Sequence, residues 1–509
     1  MPTMTRRDFI SRAAVTIAAA PVAASVGASA AGDHQDPARP GTDLIVVGAG
    51  LAGLAASITA ADAGASVILI DKRYKPGGSA MGAGGSFSAA GSRLQREKHI
   101  DDAPAKHFAD ANRIGKGKAD PAILELYTTE AAGVQSWLEE LGVEFDPKGP
   151  RIAYEHEPYS IARTCDAVGG GPGFIAALSR QLDRRIASGR VTLRGETTAR
   201  EIVRQNGRVA GLKVTNVDGN EEMIPARSVL LACGGYGANR EMIRKYHPAF
   251  ANSLTVASKY ATGDGIRMAE AAGAQIVNMD LLAPYFAGVE NPPGSRRTLM
   301  ISLISGIVAN FKGDVWVSEH GTRFMNEDSK SPDERERALR GIPEAAVFAL
   351  FDDAMLKANK PPVFGFDILL EEGRVVKKAD SFAALAQAIN VPAGALVKTM
   401  ETYNRYVDAG KDLDFGRTDL VPFRQPPFYA IAASGVIFMT MGGVKTNDRL
   451  QAIGQDGRVI PGLYAAGEVM GAAQWMGDGL MSGAGNGAAL VFGRLAALSA
   501  TSDIGLGRT

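Results

Sequence analysis

Cysteine, histidine and tryptophan are scarce in this chain, and its charges cancel. The 509 residues include two Cys, six His and three Trp, and 55 basic residues balance 55 acidic ones. Cys165 and Cys233 belong to no Cys-x-x-Cys or Cys-x-x-Cys-His motif, so no zinc site, no c-type haem and no other metal is expected. A disulfide between them stays open. Because no basic run with interleaved aromatic residues is present, we expect no nucleic-acid partner.

Long apolar runs are also absent. The run near the N-terminus, residues 13–27, is too short and too weakly apolar for a stable membrane span. It follows the segment TRRDFI at residues 5–10 and precedes the small residues ASA at 28–30. This order resembles a twin-arginine export signal with a peptidase site, which predicts a signal peptide at 1–30 and a periplasmic location. The alternative is a basic N-terminus followed by an Ala-rich helix.

Glycine is abundant, with 60 residues that occur in clusters. The first cluster lies in DLIVVGAGLAGLAASITAADAGASVILID, where Gly48, Gly50 and Gly53 form a Gly-x-Gly-x-x-Gly motif. The flanking pattern predicts a strand, a helix and a second strand at residues 43–47, 54–63 and 66–70. In this setting the glycines allow a tight turn, close approach of a pyrophosphate, and close packing of helix on strand. Asp71 ends the second strand, where a carboxylate can bind a ribose hydroxyl.

Later segments favour FAD over NAD as the dinucleotide. A second glycine-rich stretch at 75–91 can pass its backbone along a long cofactor. Residues 190–237 read as a strand meander that returns to the main sheet, and 457–469 as another strand that ends in glycine and an acid. The Ala- and Gly-rich segment at 482–498 can begin a helix whose positive end faces the ring system. These segments predict one extended dinucleotide site.

Seven segments carry a resemblance to a known superfamily: VVGAGLAGLAAS, PGGSAMGAGG, LLACGGYGANREMI, ATGDGIRMAEAAGA, GTRFMNED, TMETYNRYVDAGKDLDFGR and GLYAAGEV. The chain resembles the flavoproteins of FAD-dependent fumarate reductases and succinate dehydrogenases. It is most similar to the soluble branch with flavocytochrome c fumarate reductase, 3-ketosteroid dehydrogenases and tricarballylate dehydrogenase. The resemblance implies an α/β fold with a Rossmann-like, glutathione-reductase-like FAD-binding domain in two parts, 41–281 and 440–506. An inserted α+β capping domain is expected at 282–439.

The resemblance also implies which residues contact the cofactor. Gly48, Gly50, Gly53 and Asp71 are joined by residues of the matching segments, namely Ala52, Lys72, Gly77, Gly78, Ser79, Gly84, Gly85, Val203, Gly234, Asp264, Gly467, Glu468, Ser482, Gly483 and Ala484. Membrane-bound members attach FAD covalently through a histidine near the second glycine cluster. Residues 79–81 here are Ser-Ala-Met, so non-covalent FAD is expected.

Five residues, in four segments in which the resemblance implies Arg or His, are apolar here. They are Ala283, Leu356, the pair Ile437-Phe438, and Leu480, with Leu356 in place of a proton-donating arginine. Because burying two carboxylates without cationic partners is costly, fumarate is not expected as the substrate. A less charged, cyclic or ketosteroid-like substrate is favoured, under an apolar roof formed by Ile437, Phe438, Met439, Trp475, Met476, Leu480 and Met481.

Hydride transfer from carbon also requires loss of a proton, so a general base is needed. The candidates in the matching segments are Tyr285, Asp478, His156 and Tyr159, and Arg163 is a candidate for orienting a carbonyl oxygen or an anion. For each candidate base, the alternative is a structural hydrogen bond.

The resemblance therefore implies an FAD-dependent oxidoreductase that acts on a carbon–carbon bond next to a carbonyl or carboxylate. The missing arginine at Leu356 favours dehydrogenation. Electrons are expected to leave or arrive through an external partner, either a quinone or a redox protein. Two alternatives stay open: an ene-reductase that uses an external electron donor, and a redox-neutral isomerase or hydratase.

Overall fold

The computed structural model describes residues 41–290, 294–296, 298, 313–342, 346–359 and 366–506. The predicted export signal at 1–30 lies outside these residues. Both cysteines are free: Cys165 is buried and Cys233 is half-buried, which settles the open question of a disulfide. Across the described ranges, no helix combines the length and the apolar character needed to cross a membrane.

Eighteen strands occur in the described residues. They are β1 (Thr42–Val47), β2 (Val67–Ile70), β3 (Ser86–Ser88), β4 (Thr164–Asp166), β5 (Val191–Arg194), β6 (Thr198–Gln205), β7 (Arg208–Thr215), β8 (Glu221–Leu231), β9 (Leu254–Thr255), β10 (Ile276–Val277), β11 (Leu282–Gly288), β12 (Val315–Ser318), β13 (Ala346–Asp352), β14 (Val376–Ala379), β15 (Phe428–Thr440), β16 (Gly443–Val444), β17 (Gln451–Ile453) and β18 (Val459–Ala465).

The α-helices of the same residues are α1 (Leu51–Asp62), α2 (Arg93–Glu97), α3 (Pro104–Ile114), α4 (Pro121–Glu140), α5 (Gly170–Ala187), α6 (Arg240–Tyr246), α7 (Asp264–Ala271), α8 (Pro332–Ala338), α9 (Asp353–Ala358), α10 (Phe366–Glu372), α11 (Phe382–Ala388), α12 (Ala393–Ala409), α13 (Ala473–Met476) and α14 (Ala484–Asp503). The first helix begins three residues earlier than the pattern predicts, because Gly50 already serves as its N-cap.

The first sheet has the strand order β17-β18-β8-β1-β2-β5, with β6 and β7 joined to it as a meander through β8. Strand β1 is parallel to β2 and β8, and β8 is parallel to β18. All six residues of β1 are buried, as expected for a parallel strand that is covered on both faces. The carboxyl ends of β1, β2, β8 and β18 therefore meet at one edge, where a Rossmann-like sheet binds its ligand.

The second sheet has the strand order β11-β15-β13-β12, and β14 and β9 also pair with β15. Its pairs are antiparallel except for the short parallel pair of β9 with β15. Most of its strands fall between residues 282 and 440, whereas β9 at Leu254–Thr255 precedes the expected start of the capping domain. The domain limits at 281 and 439 stay predictions.

Candidate functional site

A cavity of about 650 Å³ opens at the carboxyl edge of the first sheet. This volume lies within the range of about 300–1,000 Å³ that is usual for ligand sites. Fourteen of the predicted cofactor residues line it: Gly48, Gly50, Ala52, Asp71, Lys72, Gly78, Ser79, Gly84, Gly234, Asp264, Gly467, Glu468, Ser482 and Gly483. The glycine clusters of the sequence thus meet at one cavity.

The turn between β1 and α1 has the geometry that a pyrophosphate requires. A Cβ atom at Gly53 would lie 1.7 Å from the Gly48 carbonyl oxygen, so only glycine lets the helix pack on the turn. A Cβ atom at Gly50 would meet no described protein atom within 4 Å outside its chain neighbours, and Gly50 lines the cavity. The start of α1 leaves N–H groups without intrahelical partners, and these suit an anion in the cavity.

Asp71 follows β2 and faces the same cavity. Its carboxylate accepts hydrogen bonds from the backbone N–H groups of Ala49, at 2.7 Å, and Arg73, at 2.6 Å. Burial raises the pKa of Asp71, although these two hydrogen bonds act against the rise. The aspartate therefore ties the end of β2 to the glycine turn and presents a carboxylate that fits a ribose hydroxyl.

Lys72 and Asp264 form an ion pair that brings distant parts of the chain together at the cavity. Lys72 Nζ lies 2.5 Å from Asp264 Oδ2 and 2.6 Å from Thr262 Oγ1. Burial alone would raise the pKa of Asp264, but hydrogen bonds from Lys72 and Thr262 outweigh it and hold the pKa below its usual value. Both partners were expected at the cofactor from the sequence, and they line the cavity together.

The far side of the cavity is built from Glu468 and the start of α14. Glu468 Oε1 accepts from the backbone N–H and the hydroxyl of Thr440, both at 2.8 Å, and burial raises the pKa of Glu468. Gly483 caps α14 with φ of +73°. The buried Ser482 Oγ has no hydrogen-bond partner within the described part of the chain. An orphaned hydroxyl in a cavity lining is expected where a ligand supplies the partner, and the residues present therefore fit a bound dinucleotide.

Five predicted cofactor residues do not line the cavity: Gly53, Gly77, Gly85, Val203 and Ala484. Gly77 donates its N–H to the Ala49 carbonyl oxygen at 3.0 Å and so braces the glycine turn. A Cβ atom at Gly85 would lie 2.5 Å from the backbone of Gly170, so this glycine serves packing against the start of α5.

Val203 and Ala484 lie outside the cavity lining for different reasons. Val203 lies in the middle of β6, paired with Gly211, and residues Thr197, Thr198 and Ala199 at the start of that strand line the cavity instead. The carbonyl oxygen of Ala484 accepts from Trp475 Nε1 at 3.3 Å, while Gly485 and Asn486 face the cavity. In both segments the sequence identifies the element but not the residue that faces inward.

One end of the cavity, here called the apolar end, is lined by His156, Tyr285, Phe438, Met439, Met476, Leu480 and Met481. The His156 ring packs edge-on against Tyr285 and Phe438, with ring centroids 5.4 and 5.2 Å apart. Two predicted members of the apolar roof are absent from this lining. Ile437 is buried in β15 opposite Pro284, and Trp475 packs against Phe492.

His156 is held by a carboxylate that the sequence did not suggest. Its Nδ1 atom lies 3.4 Å from Glu336 Oε1, and both side chains are buried. Burial raises the pKa of Glu336, while the hydrogen bond with His156 acts against the rise. A buried imidazole with a carboxylate behind it, facing a cavity, is an arrangement suited to proton transfer.

Three predicted catalytic residues lie outside the cavity, which corrects the expectation from sequence. Asp478 is held by cations, as described below. Arg163 is fully buried and is held by Asp102 at 2.9 Å and Asp110 at 2.7 Å, so its charge is already paired. Tyr159 packs against the Arg163 guanidinium, and burial raises the pKa of its hydroxyl. Neither side chain can reach a substrate in the cavity.

The position that implied a missing arginine also lies away from the cavity. Leu356 is in α9, which packs against β13 of the second sheet. Leu356 is therefore not a lining residue of this cavity.

Charged residues also occur beside the apolar end. Arg335 interacts electrostatically with Glu336 and Tyr285 and donates to the Ser329 carbonyl oxygen, whereas three residues of the cavity lining pair with one another. Arg151 Nη2 lies 2.9 Å from Glu155 Oε1, and Arg151 Nε lies 2.7 Å from Asp166 Oδ2. All three side chains line the cavity, and Glu155 directly precedes His156. One cation with two carboxylates leaves this wall with a formal charge near −1.

Comparison with known proteins supports the same interpretation. Residues 43–488 match the family model described as an FAD binding domain. The chain is 32% identical over 465 residues to a probable fumarate reductase Ifc3 of Shewanella frigidimarina, covering 89% of this chain and 74% of that protein. It is 30% identical to the vinyl phenol reductase of Lactiplantibacillus plantarum, covering 84% of this chain and 89% of that protein.

Among solved structures, the open conformation of a flavocytochrome c3 fumarate reductase superposes with a TM-score of 0.75. It is 31% identical, and the match covers 91% of this chain and 78% of that one. The range matched by the family model includes the glycine turn at residues 48–53. The chain therefore belongs to the FAD-binding family of fumarate reductase and succinate dehydrogenase flavoproteins and is an FAD-dependent oxidoreductase.

Proposed function

We propose that this protein reduces a carbon–carbon double bond that is conjugated to a carbonyl group in an uncharged, cyclic or aromatic substrate. The observation that carries the proposal is the lining of the apolar end, which consists of aromatic rings, thioethers and Leu480. Such a surface binds a ring by burial and by edge-to-face or sulfur–aromatic contacts. When bound, FAD supplies the hydride.

The charges around the apolar end argue against a dicarboxylate. Arg151 already has Glu155 and Asp166 as partners, so a substrate carboxylate would have to displace one of them. Burying a carboxylate without a cationic partner costs several kcal/mol or more. An uncharged ring avoids this cost and gains the contacts of the apolar lining.

We propose His156 as the group that delivers the proton to the substrate carbon next to the carbonyl. Its Nδ1 edge faces Glu336, so the Nε2 edge is the one assigned to the substrate. The Glu336 carboxylate contacts Nδ1, and the flanking rings of Tyr285 and Phe438 fix the orientation of the imidazole. Such placement is what a general acid needs, because a misplaced donor loses most of its effect.

The reductive direction replaces the dehydrogenation that the sequence favours. One of the two grounds for dehydrogenation is the leucine at position 356, which lies outside the cavity lining. The other, that no haem or flavin-carrier domain is recognised in the sequence, applies equally to a reductase with an external electron donor. The relatives cited above are named as reductases.

We also propose that electrons come from an external donor, a quinol or a redox protein. We further propose that the segment at residues 5–10 directs export to the periplasm. Cell fractionation with an R6K/R7K variant as the control tests the location.

Anaerobic mixing of the reduced holoprotein with three alkenes tests the function. The alkenes are 4-phenylbut-3-en-2-one, which is uncharged, cinnamate, with one charge, and fumarate, with two. We expect flavin absorbance to return at least about tenfold faster with the uncharged enone than with fumarate, in line with about 1.4 kcal/mol or more of unpaired charge. Equal or faster reoxidation by fumarate would refute the proposed substrate class. The proposed reductive direction would be refuted if saturated ketones bleach the oxidised flavin and none of the alkenes reoxidises the reduced flavin.

A further inference from the structure

Asp478 lies outside the cavity and is the point at which three cations converge. Lys118 Nζ lies 2.9 Å from Oδ2, Arg340 Nη2 lies 2.8 Å from Oδ1, and Arg337 Nη1 lies 3.1 Å from Oδ2. Arg337 also donates to the Asp478 carbonyl oxygen. The Asp478 side chain is only 6% exposed, so water does little to screen these contacts. One buried carboxylate thus links three basic side chains.

The backbone beneath Asp478 is rigidly seated. Asp478 N–H donates to the Gly115 carbonyl oxygen at 3.0 Å. A Cβ atom at Gly477 would lie 2.3 Å from the same oxygen, and one at Gly479 would lie 2.4 Å from the Ile114 carbonyl oxygen. Both neighbours of Asp478 are therefore glycines because the segment packs backbone to backbone against the end of α3. This close backbone packing fixes the position of Asp478 relative to the end of α3.

The cations on the other side of the contact belong to α8 and the turn that follows it. Helix α8 covers Pro332–Ala338 and contains both Arg337 and Glu336, the carboxylate that contacts His156 in the cavity. A second ion pair, Lys116 with Asp333 at 2.8 Å, ties the start of α8 to the same end of α3. Contacts of Asp333, Arg337 and Arg340, which lie one to four residues from Glu336, therefore hold the segment that carries it.

We propose that Asp478 is a positioning residue that holds α8 against the end of α3 and so keeps Glu336 in contact with His156. This inference rests on the proposed function of His156 as the proton donor, and it gives Asp478 a role that requires no contact with substrate. Burial alone would raise the pKa of Asp478, but hydrogen bonds from Arg340 and Lys118 outweigh it and keep the carboxylate ionised. Asp478 therefore acts through its negative charge, which holds the three cations, and not as a base that accepts a proton.

The test compares the holoprotein with its D478N, E336Q and D478N/E336Q variants. Hydrogen exchange of residues 332–341, followed by mass spectrometry, reports whether α8 stays docked. The rate of flavin reoxidation at saturating 4-phenylbut-3-en-2-one reports proton delivery, and its half-saturation concentration reports binding. We expect D478N to speed the exchange and to lower the maximal rate about tenfold or more while leaving half-saturation unchanged. D478E should restore both.

The double variant decides whether Asp478 acts through Glu336. If it does, D478N/E336Q is no slower than E336Q alone, because the partner that Asp478 positions is already gone. A double variant whose loss equals the product of the two single losses overturns the proposal, as does a D478N protein with wild-type exchange at 332–341. The matched control is D503N. Asp503 has three polar partners, and it lies at the other end of α14, about 30 Å from the cavity.

The exchange measurement uses no substrate, so the two proposals fail separately. If wild-type protein reoxidises with none of the alkenes, the proposed function is wrong. Unchanged exchange in D478N disproves the positioning role whatever the substrate is. Flavin absorbance of each variant checks that the cofactor is still bound before rates are compared.

Discussion

Two glycines of the first turn allow protein stability to be separated from cofactor binding. At Gly53, a Cβ atom would lie 1.7 Å from the Gly48 carbonyl oxygen, and this contact must open to at least 3.0 Å. Forcing the start of α1 away from the turn costs about 1–3 kcal/mol, the usual range for overpacking. At Gly50, φ of −81° suits alanine, and the added methyl group meets open space. Gly50→Ala should therefore change the free energy of unfolding by no more than about 1 kcal/mol.

Gly50→Ala should weaken FAD binding although it changes stability little. Its new methyl group would enter the cavity at the start of α1, where the pyrophosphate must approach the backbone. We expect FAD affinity to fall about tenfold or more, equivalent to about 1.4 kcal/mol. Urea unfolding of the flavin-free protein measures stability, and titration with FAD, followed by flavin fluorescence, measures affinity. The reasoning is wrong if Gly50→Ala binds FAD like the wild type, or if Gly53→Ala is as stable as the wild type.

Three further predictions follow from buried groups. Burial lowers the pKa of His107 to about 3 from an ordinary 6.5, so the unfolded chain binds a proton first as the pH falls below 6.5. This residue alone should then cost up to about 1.4 kcal/mol of stability per pH unit down to about pH 3. His107→Gln should reduce the loss of unfolding free energy as the pH falls below 6.5, measured by urea unfolding at each pH. An unchanged dependence on pH would contradict the prediction. Burial raises the pKa of Cys233 to about 12. Iodoacetamide should therefore label Cys233 slowly at pH 7, and the labelling rate should rise about tenfold per pH unit. Labelling should occur only in the FAD-free protein, with the buried Cys165 as the control in peptide mapping. Equal labelling of Cys233 in the FAD-free and FAD-bound proteins would refute this. Leu480→Arg places a cation at the apolar end, so the rate ratio of uncharged enone to fumarate should fall about tenfold or more in the alkene assay; a constant ratio would argue against the lining as the source of selectivity.

The cofactor half of the site was predictable because local backbone chemistry determines it. Gly48 needs φ of +106°, Gly53 needs contact with the turn, and Asp71 needs to end the second strand. Each requirement involves residues within about one strand–helix–strand unit, and short-range requirements leave a readable pattern in sequence. Some predicted residues of this half lie outside the cavity lining but close along the chain to lining residues. Val203 is an example: it follows the start of β6, where pairing in the sheet decides which residue faces the cavity.

The substrate half was predicted less well because its contacts join distant parts of the chain. Glu336 lies 180 residues from His156, and the cations around Asp478 come from positions 138 to 360 residues away. No local pattern reports such partners. Asp478, a charged residue in a glycine-rich segment, is therefore predicted from the sequence to act on the substrate, whereas the structure pairs its charge with other side chains. Arg163 was misassigned for the same reason, since its carboxylate partners lie 53 and 61 residues away.

Under the proposed function, the pairing of charges, more than their absence, disfavours anions at the apolar end. The chain places several basic side chains around this region, yet Arg163, Arg337, Arg340 and Arg151 each have a carboxylate within 3.1 Å. A cation that already has its carboxylate gives a substrate anion little additional attraction, because binding the anion must first break the existing pair. Counting arginines along a sequence overestimates anion binding for this reason. The pairs of Arg151 with Glu155 and Asp166 belong to the cavity lining, whereas the pairs of Asp478 with Arg337 and Arg340 lie outside it and hold α8. Under the two proposals, selection against anions and positioning of Glu336 therefore depend on separate sets of contacts.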